Sequence, residues 1–123
     1  MTGTVIKGKQ IGKQIGFPTA NIDIKESYKL IPKNGSYIVK SNIDNTPFFG
    51  MMNIGTNPTV NGSKQSIEVH FFNFNQDLYS KKLKIELLER LRDERKFESL
   101  EYLQSQLKID KENAFKLIEK KEF

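Results

Sequence analysis

Leu83-Lys84-Ile85-Glu86-Leu87-Leu88-Glu89-Arg90-Leu91 reads two ways. Leu83, Leu87 and Leu91 recur at helical spacing, while Leu83, Ile85 and Leu87 alternate as one face of a strand does. Glu, Leu and Arg are good helix formers, so local propensity favours helix. The choice decides the architecture, because the chain before this stretch is β-like and the chain after it is helical. Upstream, Thr4 to Lys7, Gly35 to Val39, Phe48 to Ile54 and Ser66 to Phe74 form short β-like runs, most of them rich in aromatic and β-branched residues. Turn material separates them at Asn42-Ile43-Asp44-Asn45, Asn57-Pro58 and Asn61-Gly62. Downstream, Ser99 can cap a helix carrying Leu100, Leu103 and Leu107, and Asp110 can cap a second carrying Ala114, Leu117 and Ile118. The expectation is a mainly β domain closed by a helical C-terminus over residues 99–122.

The totals fit one such domain. The chain has 123 residues, of which 37% are hydrophobic and 28% charged, with nine Phe and four Tyr spread along it. That is enough to bury a single core and too little for two. There is no cysteine and one histidine, which excludes disulfides, thiolate chemistry and a histidine zinc cluster. No apolar run approaches a membrane span and no leader pattern opens the chain, so a cytoplasmic protein without membrane contact is expected. The net charge of +5 comes from 20 basic and 15 acidic residues. Because the lysines are scattered or mixed with Glu, this reads as solvated surface rather than a nucleic-acid stripe.

The candidate chemistry lies in two places. Gly8 to Asn21 repeats Gly-Lys-Gln-Ile and runs into Phe17-Pro18-Thr19-Ala20-Asn21. It is not a P-loop: Gly8 and Gly12 are one residue too close, and Lys13 is followed by Gln14. Gly8, Gly12 and Gly16 nonetheless permit close backbone approach, and their amides can face phosphate oxygens. No helix is expected to follow the glycines. Thr19 and Asn21, two apart in an extended segment, share a face and offer neutral oxygens to a hard cation or a phosphate. An Asx or ST turn is the plain alternative. In Ser66 to Phe72, alternation places Ile67, Val69 and Phe71 on one face and Glu68, His70 and Phe72 on the other. Glu68 is a candidate base; by pattern alone, Glu68 and His70 read as solvent-facing residues of a half-exposed strand.

Taken together these segments resemble the riboflavin kinase family, including the kinase half of bacterial bifunctional FAD synthetases. The matching residues are Gly3-Thr4-Val5 with Gly8, Gly12 and Gly16-Phe17-Pro18-Thr19-Ala20-Asn21-Ile22, then Pro32-x-x-Gly35-x-Tyr37 and Gly50-Met51-Met52-Asn53-Ile54-Gly55-x-x-Pro58-Thr59. Ile67-Glu68-Val69-His70, Asp77-Leu78-Tyr79 and Leu91-Arg92-x-Glu94-x-Lys96-Phe97 complete the set, in family order. Ser80 stands where the family often has glycine.

The resemblance implies a six-stranded antiparallel Greek-key β-barrel with a C-terminal α-helix, which makes residues 83–91 a strand against their propensity. It implies transfer of the ATP γ-phosphate to the ribityl 5′-hydroxyl of riboflavin, giving FMN and ADP. Thr19 and Asn21 would hold or adjoin the Mg²⁺ of the nucleotide, and the glycine segment 8–18, with Gly8, Gly12, Gly16 and Pro18, would cover the phosphates as a flap. Glu68 would accept the hydroxyl proton. Arg92 would lie by the flavin and phosphate, with Leu100 and Leu103 walling the isoalloxazine, while His70 is left a structural role. An N-terminal adenylyltransferase domain would belong to a longer protein of which this is the kinase piece, and without that domain no FAD synthesis is expected. The alternatives are a catalytically silent flavin-binding module and, further off, a basic barrel for single-stranded nucleic acid.

Overall fold

The computed structural model describes residues 1–7, 11–24 and 31–123. Residues 83–91 are strand, but in two pieces. The element order is β1 (Thr2–Ile6), α1 (Ile11–Gln14), β2 (Ala20–Asp23), β3 (Gly35–Ile43), β4 (Thr46–Thr59), β5 (Gly62–Phe71), β6 (Lys82–Lys84), β7 (Glu86–Arg92) and α2 (Leu100–Lys121). All pairings are antiparallel. They form one sheet in the order β6-β1-β2-β5-β4-β3-β7.

The sheet therefore has seven strands, not the expected six, and the physical reason lies at Ile85. Lys82 to Lys84 pair with β1, and Glu86 to Arg92 pair with β3. Between them the Ile85 N–H donates to the Met1 carbonyl at 2.6 Å, and the Met1 amino group donates to the Ile85 carbonyl at 3.1 Å. The chain changes partners at this residue, so the two outermost strands of the sheet are consecutive in sequence and the sheet curls back toward itself.

Both spacings seen in the ambiguous stretch are used. Leu83 and Ile85 are buried inside the curl, with Leu87 packed against them. Leu88 and Leu91 lie instead in the cluster beneath α2. The register of β7 against β3 slips twice, which is how a strand can turn apolar residues to both faces. Burial on two sides outweighs the helical propensity of Glu, Leu and Arg.

The interior of the curl holds Val5, Ile22, Val39, Met52, Ile54, Val69 and Phe71 among others. A second core lies on the outer face, where Phe17, Ile38, Met51 and Phe72 meet Ala114 of α2. The C-terminus is one helix rather than two. Ser99 caps it as expected, its side chain accepting from the Tyr102 N–H, but Asp110 lies in mid-helix and is 3% exposed. Its carboxylate finds side-chain partners and has no free backbone N–H to cap.

Three local expectations also change. Asn57-Pro58 is not a turn but part of β4, opposite Lys64 and Ser63 near the end of a long ribbon, where a missing ladder donor costs little. The reversal between β3 and β4 is narrower than the four residues expected, with Asp44 and Asn45 at φ 51° and 67°, the left-handed pair that a two-residue hairpin requires. A single helical turn, α1, does follow the first glycine, ending at Gly16 with φ 88°. Gly8 lies outside the described residues.

Candidate active site

The outer face of the sheet carries a row of polar side chains set by register. Asn21 of β2 pairs with Glu68 of β5, and Glu68 pairs with Asn53 of β4. Asn53 in turn pairs with Ser36 of β3, and Ser36 with Arg92 of β7. Alternation accounts for the row, since the neighbours Ile22, Ile67, Val69, Met52, Ile54 and Tyr37 all turn into the core.

Within this row Thr19 Oγ1 donates to Glu68 Oε1 at 3.1 Å. Thr19, just ahead of β2, and Asn21 of β2 are thus brought beside Glu68 of β5. A cavity of about 640 Å³ opens beside Thr19 and Asn21, lined by Pro18, Thr19, Asn21, Lys7, Lys13 and Tyr79 among others, while Glu68 is not among its lining residues and reaches it only through Thr19. Two neutral oxygens and two lysines around one cavity, with Glu68 hydrogen-bonded to Thr19 at its edge, suit a polyanion carrying a hard cation. Among the described residues no group of three or more His, Cys, Asp or Glu could cage a metal by itself. The oxygens present instead fit an ion that keeps most of its ligands from a nucleotide.

His70 is not solvent-facing. It is 8% exposed, set edge-on against Phe17 and Phe72 at 5.4 and 5.7 Å between ring centres. Its Nδ1 lies 2.7 Å from the Pro18 carbonyl oxygen. Burial holds its pKa below the ordinary 6.5, opposed by that backbone hydrogen bond and assisted by the nearby Lys111 charge.

Arg92 is committed to the helix. Its Nε lies 2.9 and 3.0 Å from the two Asp110 oxygens, and its Nη2 donates to Oδ2 at 2.8 Å. Gln106 Nε2 adds a bond to the same carboxylate at 2.9 Å. The partner is thus a nearly buried Asp, 18 residues away in α2. Leu100 is 47% exposed, Leu103 is half-buried, and neither belongs to the two core clusters. Arg92, Leu100 and Leu103 do not line the cavity beside Thr19.

The rest of the Leu91 to Phe97 segment is tied to β4. Glu94 Oε2 accepts from the Thr56 N–H at 2.8 Å, and Lys96 Nζ donates to the Thr56 carbonyl at 2.8 Å. Glu94 occupies the space that a side chain on Gly55 would fill. Three residues of interest went unassigned in the sequence. Asn53 lies in the Gly50 to Thr59 motif and Ser36 between Gly35 and Tyr37, and only pairing register could place Asn53 beside Glu68 and Ser36 beside Asn53. Asp110 was read as a cap because no local pattern reveals a partner 18 residues away.

The family model for riboflavin kinase, Flavokinase, matches residues 1–118. The chain belongs to the riboflavin kinase family. It is 42% identical over 111 residues to the RNA-binding riboflavin kinase RibR of Bacillus subtilis, covering 89% of this chain and 47% of that protein. It is 41% identical over 117 residues to the bifunctional riboflavin kinase/FMN adenylyltransferase of the same organism, covering 93% of this chain and 37% of that one. A solved structure described as a macrolide-efflux protein from Streptococcus pneumoniae superposes with a TM-score of 0.83 at 37% identity, covering 92% of this chain and 37% of that chain. The chain thus spans less than half the length of these relatives. Among the described residues no helix is long and apolar enough to cross a membrane.

Proposed function

We propose that this domain is a riboflavin kinase, transferring the γ-phosphoryl group of ATP to the 5′-hydroxyl of riboflavin to give FMN and ADP. The observation that carries the reading is the Thr19–Glu68 hydrogen bond, with Asn21 in register beside it, at the edge of a cavity that also presents Lys7 and Lys13. Glu68 orients the ribityl hydroxyl and takes its proton as the new O–P bond forms and the bond to the ADP oxygen breaks. A carboxylate is a weak base toward an alcohol, so alignment and charge stabilisation carry most of the acceleration. Thr19 and Asn21 would hold Mg²⁺ through their side-chain oxygens; bound there with the nucleotide, the ion would neutralise charge on the phosphates. Lys7 and Lys13 add positive charge on the same side, and the glycine segment, with Gly12 and Gly16, covers it. Arg92, Leu100 and Leu103 belong to the flavin side, Arg92 through an orientation fixed by Asp110.

The same proposal takes the curled seven-stranded sheet as a Greek-key barrel. Support comes from the return of β2 to lie beside β5, next to the β3-β4-β5 meander. In a longer protein an adenylyltransferase domain would use the FMN made here, as the names of the bifunctional relatives suggest. Nucleic acid is not part of the proposal, since several lysines are paired with carboxylates, as in Lys81–Asp44 and Lys121–Glu89. The test is incubation with riboflavin, ATP and Mg²⁺ followed by chromatography. FMN without FAD is expected; a folded protein that binds riboflavin and makes no FMN would indicate the silent binding module.

A further inference from the structure

The geometry points to His70 as a positioning residue of the kinase site, a clamp on the Pro18 carbonyl that sets where Thr19 meets Glu68. This rests on the kinase reading. The backbone ladder between β2 and β5 runs only through Asn21–Glu68 and Ala20–Val69. One step further along β5 stands His70, and across from it the chain has already reached Pro18 and Thr19. Proline has no N–H to donate, so the ladder cannot be continued from that residue.

The His70 side chain takes over where the ladder stops. A carbonyl oxygen can only accept, so the 2.7 Å contact requires the proton on His70 Nδ1. The ring is fixed in turn by Phe17 and Phe72 at its edges, and Phe17 itself is 6% exposed. His70 therefore grips the two residues before Thr19, one by hydrogen bond and one by ring contact. Its own backbone is fixed by pairing with Met51 of β4. Thr19 immediately precedes β2, with its Oγ1 in reach of Glu68. Without the clamp, the segment carrying the phosphate-side oxygens keeps the pairings of β2 with β1 and β5 and the burial of Phe17 but loses its tie at Pro18, the residue next to Thr19, and effects should fall on the nucleotide rather than the flavin.

The test compares His70→Leu, which removes the donor, with His70→Asn, whose amide nitrogen lies close to the Nδ1 position. Mg-ADP affinity is read by calorimetry and riboflavin affinity by flavin fluorescence, with melting curves as the control for folding. The expected result for His70→Leu is about a tenfold loss of Mg-ADP affinity, the scale of one lost hydrogen bond, with riboflavin affinity within twofold of the parent. His70→Asn should recover most of the loss, and in turnover the Mg-ATP KM should rise more than kcat falls. Equal Mg-ADP affinity in parent and folded His70→Leu overturns the inference alone, as does an equal loss of both ligands. A parent that binds no Mg-ADP overturns the kinase reading and this inference with it. If His70→Leu does not fold, nitrogen NMR of the parent decides, because His70 is the single histidine in the sequence. The Nδ1–H tautomer, shifted on adding Mg-ADP, supports the clamp; the Nε2–H tautomer overturns it.

Discussion

Replacing Asp110 with Ala tests what fastens the C-terminal helix to the sheet. The side chain of Asp110 is 4% exposed and that of Arg92 is 20% exposed. The substitution removes the acceptor of three Arg92 contacts and one Gln106 bond. Breaking a fully buried pair by deleting one partner costs about 3–5 kcal/mol, chiefly because the surviving charge is left uncompensated. Arg92 retains some access to water and one bond to the Asp93 carbonyl at 3.1 Å, so the cost is expected somewhat below that range, about 2–4 kcal/mol. For a domain of this size the melting temperature should fall by roughly 10 °C. Urea denaturation followed by far-UV circular dichroism measures the change, with the m-value confirming two-state unfolding. The double substitution Arg92→Met with Asp110→Leu removes both charges and should restore most of the stability. A cost below about 1 kcal/mol for Asp110→Ala, or a double variant no better than the single, would refute the assignment of this pair as the fastening.

Ser80 has φ 69°, a conformation that suits glycine, in a turn anchored by its own N–H to the Val5 carbonyl at 2.9 Å. Ser80→Gly should therefore raise stability by about 0.5–1 kcal/mol in urea titration, the relief of left-handed strain exceeding the added freedom of the unfolded chain. Gly3 is the opposite case: a Cβ there would collide with Ile22 Cγ2 and the Asp23 carbonyl oxygen, so Gly3→Ala should lower the denaturation midpoint by more than any surface Gly→Ala change. His70 stays neutral in the fold to lower pH than in the unfolded chain. The unfolded state then binds the extra proton first, so its contribution is complete above about pH 6.5 and is lost as pH falls through the folded value. The parent midpoint should decline below that pH more steeply than that of His70→Asn.

Legibility followed the range of the physics. The strands of the front half were readable because Ile67, Val69 and Phe71 alternate against Glu68, His70 and Phe72, and period-2 burial is a local signal. Residues 83–91 were not, since Leu88 and Leu91 answer to α2 while Leu83 and Ile85 answer to the sheet interior. The break at Ile85 depends on Met1, at the other end of the chain. The Thr19, Asn21 and Glu68 constellation was legible as residue types in quoted motifs, but their meeting required the β2–β5 register. His70 and Asp110 were misjudged for one reason: each is buried by an element distant in sequence, and pattern along a strand or helix does not reveal what covers it.

The central claim is that Glu68 acts at the reacting hydroxyl. Turnover and riboflavin binding should therefore be measured side by side in the parent and in Glu68→Gln. The account predicts that kcat falls by about 10²-fold or more, the usual scale of a lost general base, while riboflavin affinity and the melting temperature stay near those of the parent. A folded Glu68→Gln protein that makes FMN at the parental rate would contradict it.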